Sequence, residues 1–192
     1  MDIALTHPSP ADADEFIAAA ISSASLHGPW LSAPDTPERF VAFLNRAARD
    51  DQASYLIRHA ACGGLVGYVN INNIVRAALR SGYLGYAGFQ SHAGRGLMTA
   101  GLAAVVTDAF TSLGLHRLEA NIQPGNEPSL GLVRRLGFQR EGFSPRYLLI
   151  DGQWRDHERW AVRAEDWNGR DAAVQDRDQA DNPASGGTGH RG

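Results

Sequence analysis

Gly94-Arg95-Gly96, inside the stretch FQSHAGRGLMTAGLAAVV (89–106), sits directly ahead of a long run of helix-forming residues. A glycine loop at that place leaves backbone N–H groups without partners at a helix N-terminus. Together with the helix dipole, those groups attract an anion. A second stretch, QPGNEPSLGLVRRLGF (123–138), opens a shorter helix with Asn126 and Ser129 and turns Leu132, Val133 and Leu136 inward. The chemistry on offer is capture of an anion by main-chain amides, with a serine hydroxyl at the start of a second helix.

Three phosphate-binding loops are to be weighed against the first stretch. A nucleotide-hydrolysing P-loop requires Gly-Lys-Ser/Thr, and the chain has no lysine: all 18 basic residues are arginine. A dinucleotide fingerprint requires a small residue where Thr99 stands and an acidic residue about 20 positions on. The pyrophosphate of coenzyme A, held by loop amides, meets neither objection. An ordinary strand-to-helix turn needs no anion, and from this segment alone it stays open.

Other reactive residue types carry less. His92, His116 and His157 lack metal-ligand spacing, so no metal is expected. Cys62 is expected to be buried and structural, and as a lone cysteine it fits a reducing compartment. Trp154 and Trp160, at even spacing, read as core or sheet-face residues. No Gly-x-Ser-x-Gly elbow is present, which speaks against a serine hydrolase. Net charge is −3 with scattered arginines, which gives nucleic-acid binding little electrostatic support.

The elements that must position these residues can be read along the chain. Ser9-Pro10-Ala11-Asp12 carries helix-start signals, predicting a helix to about Ser23. Thr36-Pro37-Glu38 repeats them, with Phe40, Phe43, Leu44 and Ala47 on one face. SYLIRHA (54–60), LVGYVNIN (65–72), YLGYAGF (83–89) and HRLEANI (116–122) read as strands, with Gly63-Gly64 as a hairpin turn. A long helix is expected over 94–113, its Leu97, Ala100, Gly101, Ala104 and Val105 lying close on a sheet. A short helix over 127–136 ends at Gly137. FQREGF, RYLLID and QWRDHERWAV supply the last strands. This order predicts a mixed α/β sheet in one domain over residues 1–167. Residues 168–192, polar and aperiodic, read as a disordered tail. The 192 residues, 43% hydrophobic and 20% charged, suit a globular protein. With no leader-like start and no apolar run near ~18 residues, a cytoplasmic location away from membranes is expected.

Taken together, the strand–glycine loop–helix–strand order and the Asn126-x-x-Ser129 segment resemble the GNAT acyltransferase superfamily, whose fold is a central, mostly antiparallel sheet flanked by helices. YLGY (83–86), GRGLM (94–98), RRLGF (134–138) and YLLIDGQWRDH (147–157) are similar to its RimJ/RimL branch, above all to the RimJ-type ribosomal-protein-alanine acetyltransferases. The resemblance covers residues 1–167. The signature loop has Gln or Arg where Ser91 stands here, a departure that Gln90 or Arg95 is placed to offset.

The resemblance implies acetyl-CoA as donor and direct attack by an amine, most readily a protein N-terminal α-amino group starting with Ala or Ser. It implies as partner a protein or peptide N-terminus, ribosomal proteins included, and a homodimer is compatible with it. A small-molecule amine such as a polyamine or antibiotic, or a non-catalytic acetyl-CoA-binding module, are the alternatives. By the same resemblance, Ala87, Gly88, Phe89, Gly94, Arg95, Gly96, Leu97, Met98, Asn126 and Ser129 would bind the cofactor. A backbone N–H near Gly88, freed by a bulge, would hold the oxyanion. Ser129 would serve the leaving thiolate, and Asn126 the pantetheine arm. The glutamate base of some relatives has no match, since Leu148 stands there. Glu119, sharing a strand face with Asn121, is the candidate base, with Tyr147, Asp151 and His157 behind it.

Overall fold

Two proline-marked signals start helices where the sequence places them. The computed structural model describes residues 2–168; beyond Asn168, the expected tail lies outside the described residues. Ser9 donates both its N–H and its hydroxyl to Asp12 Oδ2 at 2.7 Å, fixing a single 3-10 turn ahead of α1 (Ala13–Ser22). A short α2 (Ala24–His27) follows. Thr36 Oγ1 accepts from Arg39 N–H at 3.3 Å and starts α3 (Pro37–Ala47). The inward residues of α1 and α3 make an aromatic cluster. Phe16 lies 5.1 Å from Phe40, 5.5 Å from Phe43, and 5.3 Å from both Tyr68 and Phe89, ring centre to ring centre.

That cluster covers one end of a seven-stranded sheet. Its strands are β1 (Ile3–Thr6), β2 (Ala53–His59), β3 (Leu65–Val75), β4 (Ser81–Gly88), β5 (Arg117–Ile122), β6 (Gln139–Ile150) and β7 (Gln153–Arg163). The order across the sheet is β1-β2-β3-β4-β5-β7-β6, and β4 with β5 is its parallel neighbour pair. The sheet is mixed and mostly antiparallel, as the patterning implies. α4 (Leu97–Thr111) crosses from β4 to β5. Of its expected inner face, Leu97, Gly101 and Val105 are buried and Ala100 and Ala104 half-buried; Leu102, Val106 and Ala109 complete it. A Cβ on Gly101 would come within 2.3 Å of Ile57 Cδ1, so only glycine permits this approach of helix to sheet.

The functional geometry comes from one irregularity. β4 pairs β5 from Ser81↔Arg117 to Leu84↔Ala120 and no further, although both strands continue. Past Leu84 the two strands part, and α5 (Glu127–Arg135) begins beside the opening.

Four features differ from expectation. β1 is a four-residue edge strand, too short for a periodicity signal. FQREGF and RYLLID fuse into the single strand β6, interrupted by register shifts at Arg140/Gly142 and Ser144/Leu148. No bulge forms at Gly88: the β3–β4 register is regular from Asn72↔Tyr83 to Gly67↔Gly88. Gly88 is needed instead because a Cβ there would sit 2.9 Å from Met98 Cγ. Cys62 is exposed, with Sγ 3.4 Å from His59 Nδ1. Among the described residues no helix is long and apolar enough to cross a membrane.

Candidate active site

The parting of β4 and β5 opens a cavity of about 510 Å³ between β4, the loop before α4 and the start of α5. Ala87, Gly88, Phe89, the loop Gly94–Met98, Asn126 and Ser129 all border it. Gly94 and Gly96 take φ of 73° and 72°, left-handed values that turn successive loop amides the same way. The first intrahelical bond is Ala100 N–H to Gly96 O, at 3.1 Å. The N–H groups of Leu97, Met98 and Thr99 therefore have no helical partner, and the dipole adds about half a positive charge behind them. Arg95 and Arg135 border the same cavity. Arg135 was not anticipated; it reaches across to donate to Thr99 Oγ1 at 3.4 Å. Ser91 turns its hydroxyl to Leu65 O instead. Gln90 is exposed and lies off the cavity wall. The residues present thus suit a diphosphate group: an amide nest, a dipole and two guanidinium groups.

A second cavity of about 520 Å³ opens on the β4, β5 and β6 side. The two share Trp30, Leu31, Tyr86, Asn126 and Ser129, so they are two lobes of one cleft. At the junction, the Tyr86 hydroxyl and Ser129 Oγ are hydrogen-bonded at 2.7 Å. Burial pushes the Tyr86 hydroxyl up to about 12, so it stays protonated. Asn126 Oδ1 accepts from Ser129 N–H at 3.3 Å. Asn126 thus caps α5 and releases the Ser129 hydroxyl for Tyr86 and the cleft.

Strand alternation supplies one more donor. Phe89 N–H is bonded to Val66 O at 2.7 Å, so the Gly88 N–H and C=O point the other way, to the edge that β5 has left. His27, buried at 7% exposure, donates Nε2–H to that Gly88 carbonyl at 3.0 Å. The Gly88 N–H remains directed into the cleft.

Tyr147 and His157 border the second lobe; Glu119 and Asp151 border neither. The Glu119 carboxylate accepts from Arg117 Nε at 2.9 Å, and Arg117 also binds Glu141. The structure therefore brings Ser129, Asn126 and Tyr147 to the cleft and leaves Glu119 in an ion-pair network beside it. His157 is 2% exposed. Its Nδ1–H donates to Arg155 O at 3.0 Å, leaving the Nε2 lone pair as the ring's acceptor. Burial holds its pKa below the ordinary histidine value, so the ring is neutral at neutral pH. The Tyr147 ring meets it edge-on, 5.9 Å away. Among the described residues, no Asp or Glu lines this second lobe.

Tyr86, Trp30 and His27 were missed as site residues. Tyr86 shares a strand face with the core residue Leu84, so its alternation along β4 reads as core rather than as a cleft position. His27 is the last residue of the short α2 and Trp30 lies in the turn beyond it, where the sequence has no periodic signal. Trp30 is tied in by Gln123 Nε2, which donates to its carbonyl at 3.0 Å across 93 positions of sequence.

A family model described as an acetyltransferase (GNAT) domain matches residues 2–139. The ribosomal protein uS5-alanine N-acetyltransferase of Escherichia coli (strain K12) is 43% identical over 103 residues, 54% of this chain and 53% of that protein. The chain thus matches about half the length of that relative. Among solved structures, Mycobacterium smegmatis RimJ in complex with CoA-disulfide superposes with a TM-score of 0.81 at 29% identity, covering 91% of this chain and 89% of that one. The ribosomal-protein-S5-alanine acetyltransferase from Vibrio fischeri shares the fold, with a TM-score of 0.74 at 24% identity over 88% of this chain and 96% of that one.

Proposed function

Given that the chain belongs to the GNAT acetyltransferase family, we propose that it moves an acetyl group from acetyl-CoA to the α-amino group of a protein N-terminus, ribosomal proteins included. The observation that carries this reading is the two-lobed cleft meeting at Tyr86 and Ser129. The loop amides, Arg95 and Arg135 of the first lobe suit the diphosphate of coenzyme A. Acetyl-CoA supplies a thioester that an amine attacks directly.

Five groups of the chain divide the work. Gly88 N–H donates to the carbonyl oxygen as negative charge develops on it. Ser129 hydrogen-bonds the sulfur through its hydroxyl as the C–S bond breaks, with Tyr86 donating in turn to Ser129 Oγ, and the released thiolate takes its proton from solvent. The attacking nitrogen loses its extra proton to His157 Nε2, directly or through water, and the new N–C bond keeps the acetyl group. Tyr147 packs edge-on against His157 and keeps its ring in place.

The choice of amine follows from charge. An α-amino group titrates near ~7.7–8.0, against ~10.4 for a lysine side chain, so a neutral histidine can serve it. A polyamine would bring several positive charges into a lobe whose described lining has no carboxylate, an unfavourable transfer. Thiol release from acetyl-CoA tests the reading. Peptides with free Ala or Ser N-termini should be turned over, and spermidine should be a poor acceptor. Preferential use of spermidine, or binding of acetyl-CoA with no turnover of either acceptor, would overturn it.

A further inference from the structure

Among the described residues, three buried side-chain nitrogen or oxygen atoms have no hydrogen-bond partner: Asn70 Oδ1, Asn121 Oδ1 and Arg155 Nε. Two of them belong to one row across the sheet. Asn70 on β3 is in register with Gly85 on β4. Continuing the β4–β5 register past Leu84↔Ala120 by one residue sets Gly85 beside Asn121, at the point where those strands part. Residues in such a row project from the same face. Gly85 lies between the two asparagines, and a Cβ there would meet only Asn72 Nδ2, at 3.3 Å. The row is therefore a slot with a glycine floor and an amide at each side. Asn72, Gly85 and Asn121 line the acceptor lobe.

An enclosed oxygen without a donor destabilises a fold, and each such oxygen calls for an explanation, a functional role among them. The row continues to Arg159, a cation turned toward Gly142, and holds no carboxylate, so the donor it suits is a neutral N–H rather than an ammonium. We propose that Asn121 Oδ1 accepts a hydrogen bond from the first peptide N–H of the acceptor, so that the site reads a peptidyl amino terminus and not merely an amine. His157 stands two residues from Arg159, the register partner of Asn121, and so lies diagonally across from it on the same face. With the first peptide N–H on Asn121, the α-amine one residue earlier lies toward His157 and the junction with the donor lobe. This inference rests on the N-terminal acetyltransferase reading and narrows it to an acceptor having a peptide bond after its first residue.

The test compares two acceptors on the intact protein: a short peptide with an N-terminal alanine, and its analogue in which the first peptide N–H is replaced by an ester oxygen. Wild type should favour the peptide by roughly tenfold in kcat/KM, the ratio that one hydrogen bond of about 1.4 kcal/mol supplies. Asn121→Ala and the isosteric Asn121→Leu should each abolish that preference, so that the variants use peptide and ester equally. The loss should fall on KM, with acetyl-CoA affinity maintained and the Tm of Asn121→Leu equal to or above that of wild type, since that substitution removes an unpartnered buried oxygen. Equal use of both acceptors by wild type, or a tenfold preference that survives in both variants, would overturn the role of Asn121 and leave the enzyme reading intact. Failure of wild type to acetylate either acceptor, with acetyl-CoA bound, would overturn the N-terminal reading and this inference together.

Discussion

Replacing Ser129 with alanine separates chemistry from folding unusually well at this position. Its backbone N–H is held by Asn126 Oδ1, so the alanine variant keeps the helix cap. Alanine also has the higher helix propensity. What disappears is the 2.7 Å contact with Tyr86 and, on the proposed mechanism, the hydroxyl that meets the leaving sulfur. A hydrogen bond to a charged group contributes about 1.5–3 kcal/mol, so kcat should fall roughly 10- to 150-fold. The stranded Tyr86 hydroxyl borders the cleft and can turn to solvent there. The stability cost is then at most about 1 kcal/mol, or about 2–4 °C in Tm for a chain of this size. Because Tyr86 acts through Ser129, Tyr86→Phe should lower kcat by less, and the double variant should match Ser129→Ala alone. Steady-state thiol release on the four proteins, with calorimetric acetyl-CoA affinities, completes the cycle. Additive effects of the two substitutions would refute the relay. So would weakened acetyl-CoA binding with normal kcat, which would make Ser129 a cofactor contact only.

Three other outcomes follow from single contacts. Gly96→Ala forces a side chain onto φ 72°, at about 1–2 kcal/mol; relief of that strain by movement of the loop amides should weaken acetyl-CoA binding about 5- to 30-fold by calorimetry. Asn126→Ala removes the α5 cap and about 1 kcal/mol, seen as a Tm lower by about 2–4 °C in differential scanning calorimetry. His157 has a folded pKa lowered by burial, so kcat/KM should fall as pH drops through that lowered value, and His157→Gln should flatten this acid limb. The sign for stability is the same: what is gained by burying the ring neutral is complete above the unfolded value of about 6.5 and is lost as pH falls toward the folded one.

Much of the fold was legible because its signals are local. Ser9-Pro10, Thr36-Pro37 and Asn126 start helices through contacts with residues three positions away. The alternation in 116–122 sorts inside from outside without any tertiary knowledge, whereas 65–69 is buried on both faces. The glycine loop declared itself by being glycine ahead of a helix. What stayed hidden depends on distant partners. Glu119 looks available in sequence, and only Arg117 and Glu141 reveal that it is engaged. His27, at the end of α2, and Trp30, in the turn beyond it, enter the cleft at positions set by Gly88 and Gln123. Gly88 reads as a bulge residue from its place at a strand end, whereas the need for it comes from Met98 on the facing helix. Cys62 shows that an apolar residue type in a tight turn says little about burial.

The most direct test of the account is a map of backbone amide resonances on isotope-labelled protein during titration with coenzyme A. The account predicts saturable shifts concentrated at Gly94, Gly96, Leu97 and Met98, spreading to Gly88 and Ser129 as the pantetheine arm reaches the junction. Saturable binding whose shifts cluster instead on the face of His7, Val41 and Ser112, which line a separate cavity, with the Gly94–Met98 amides unmoved, would contradict it.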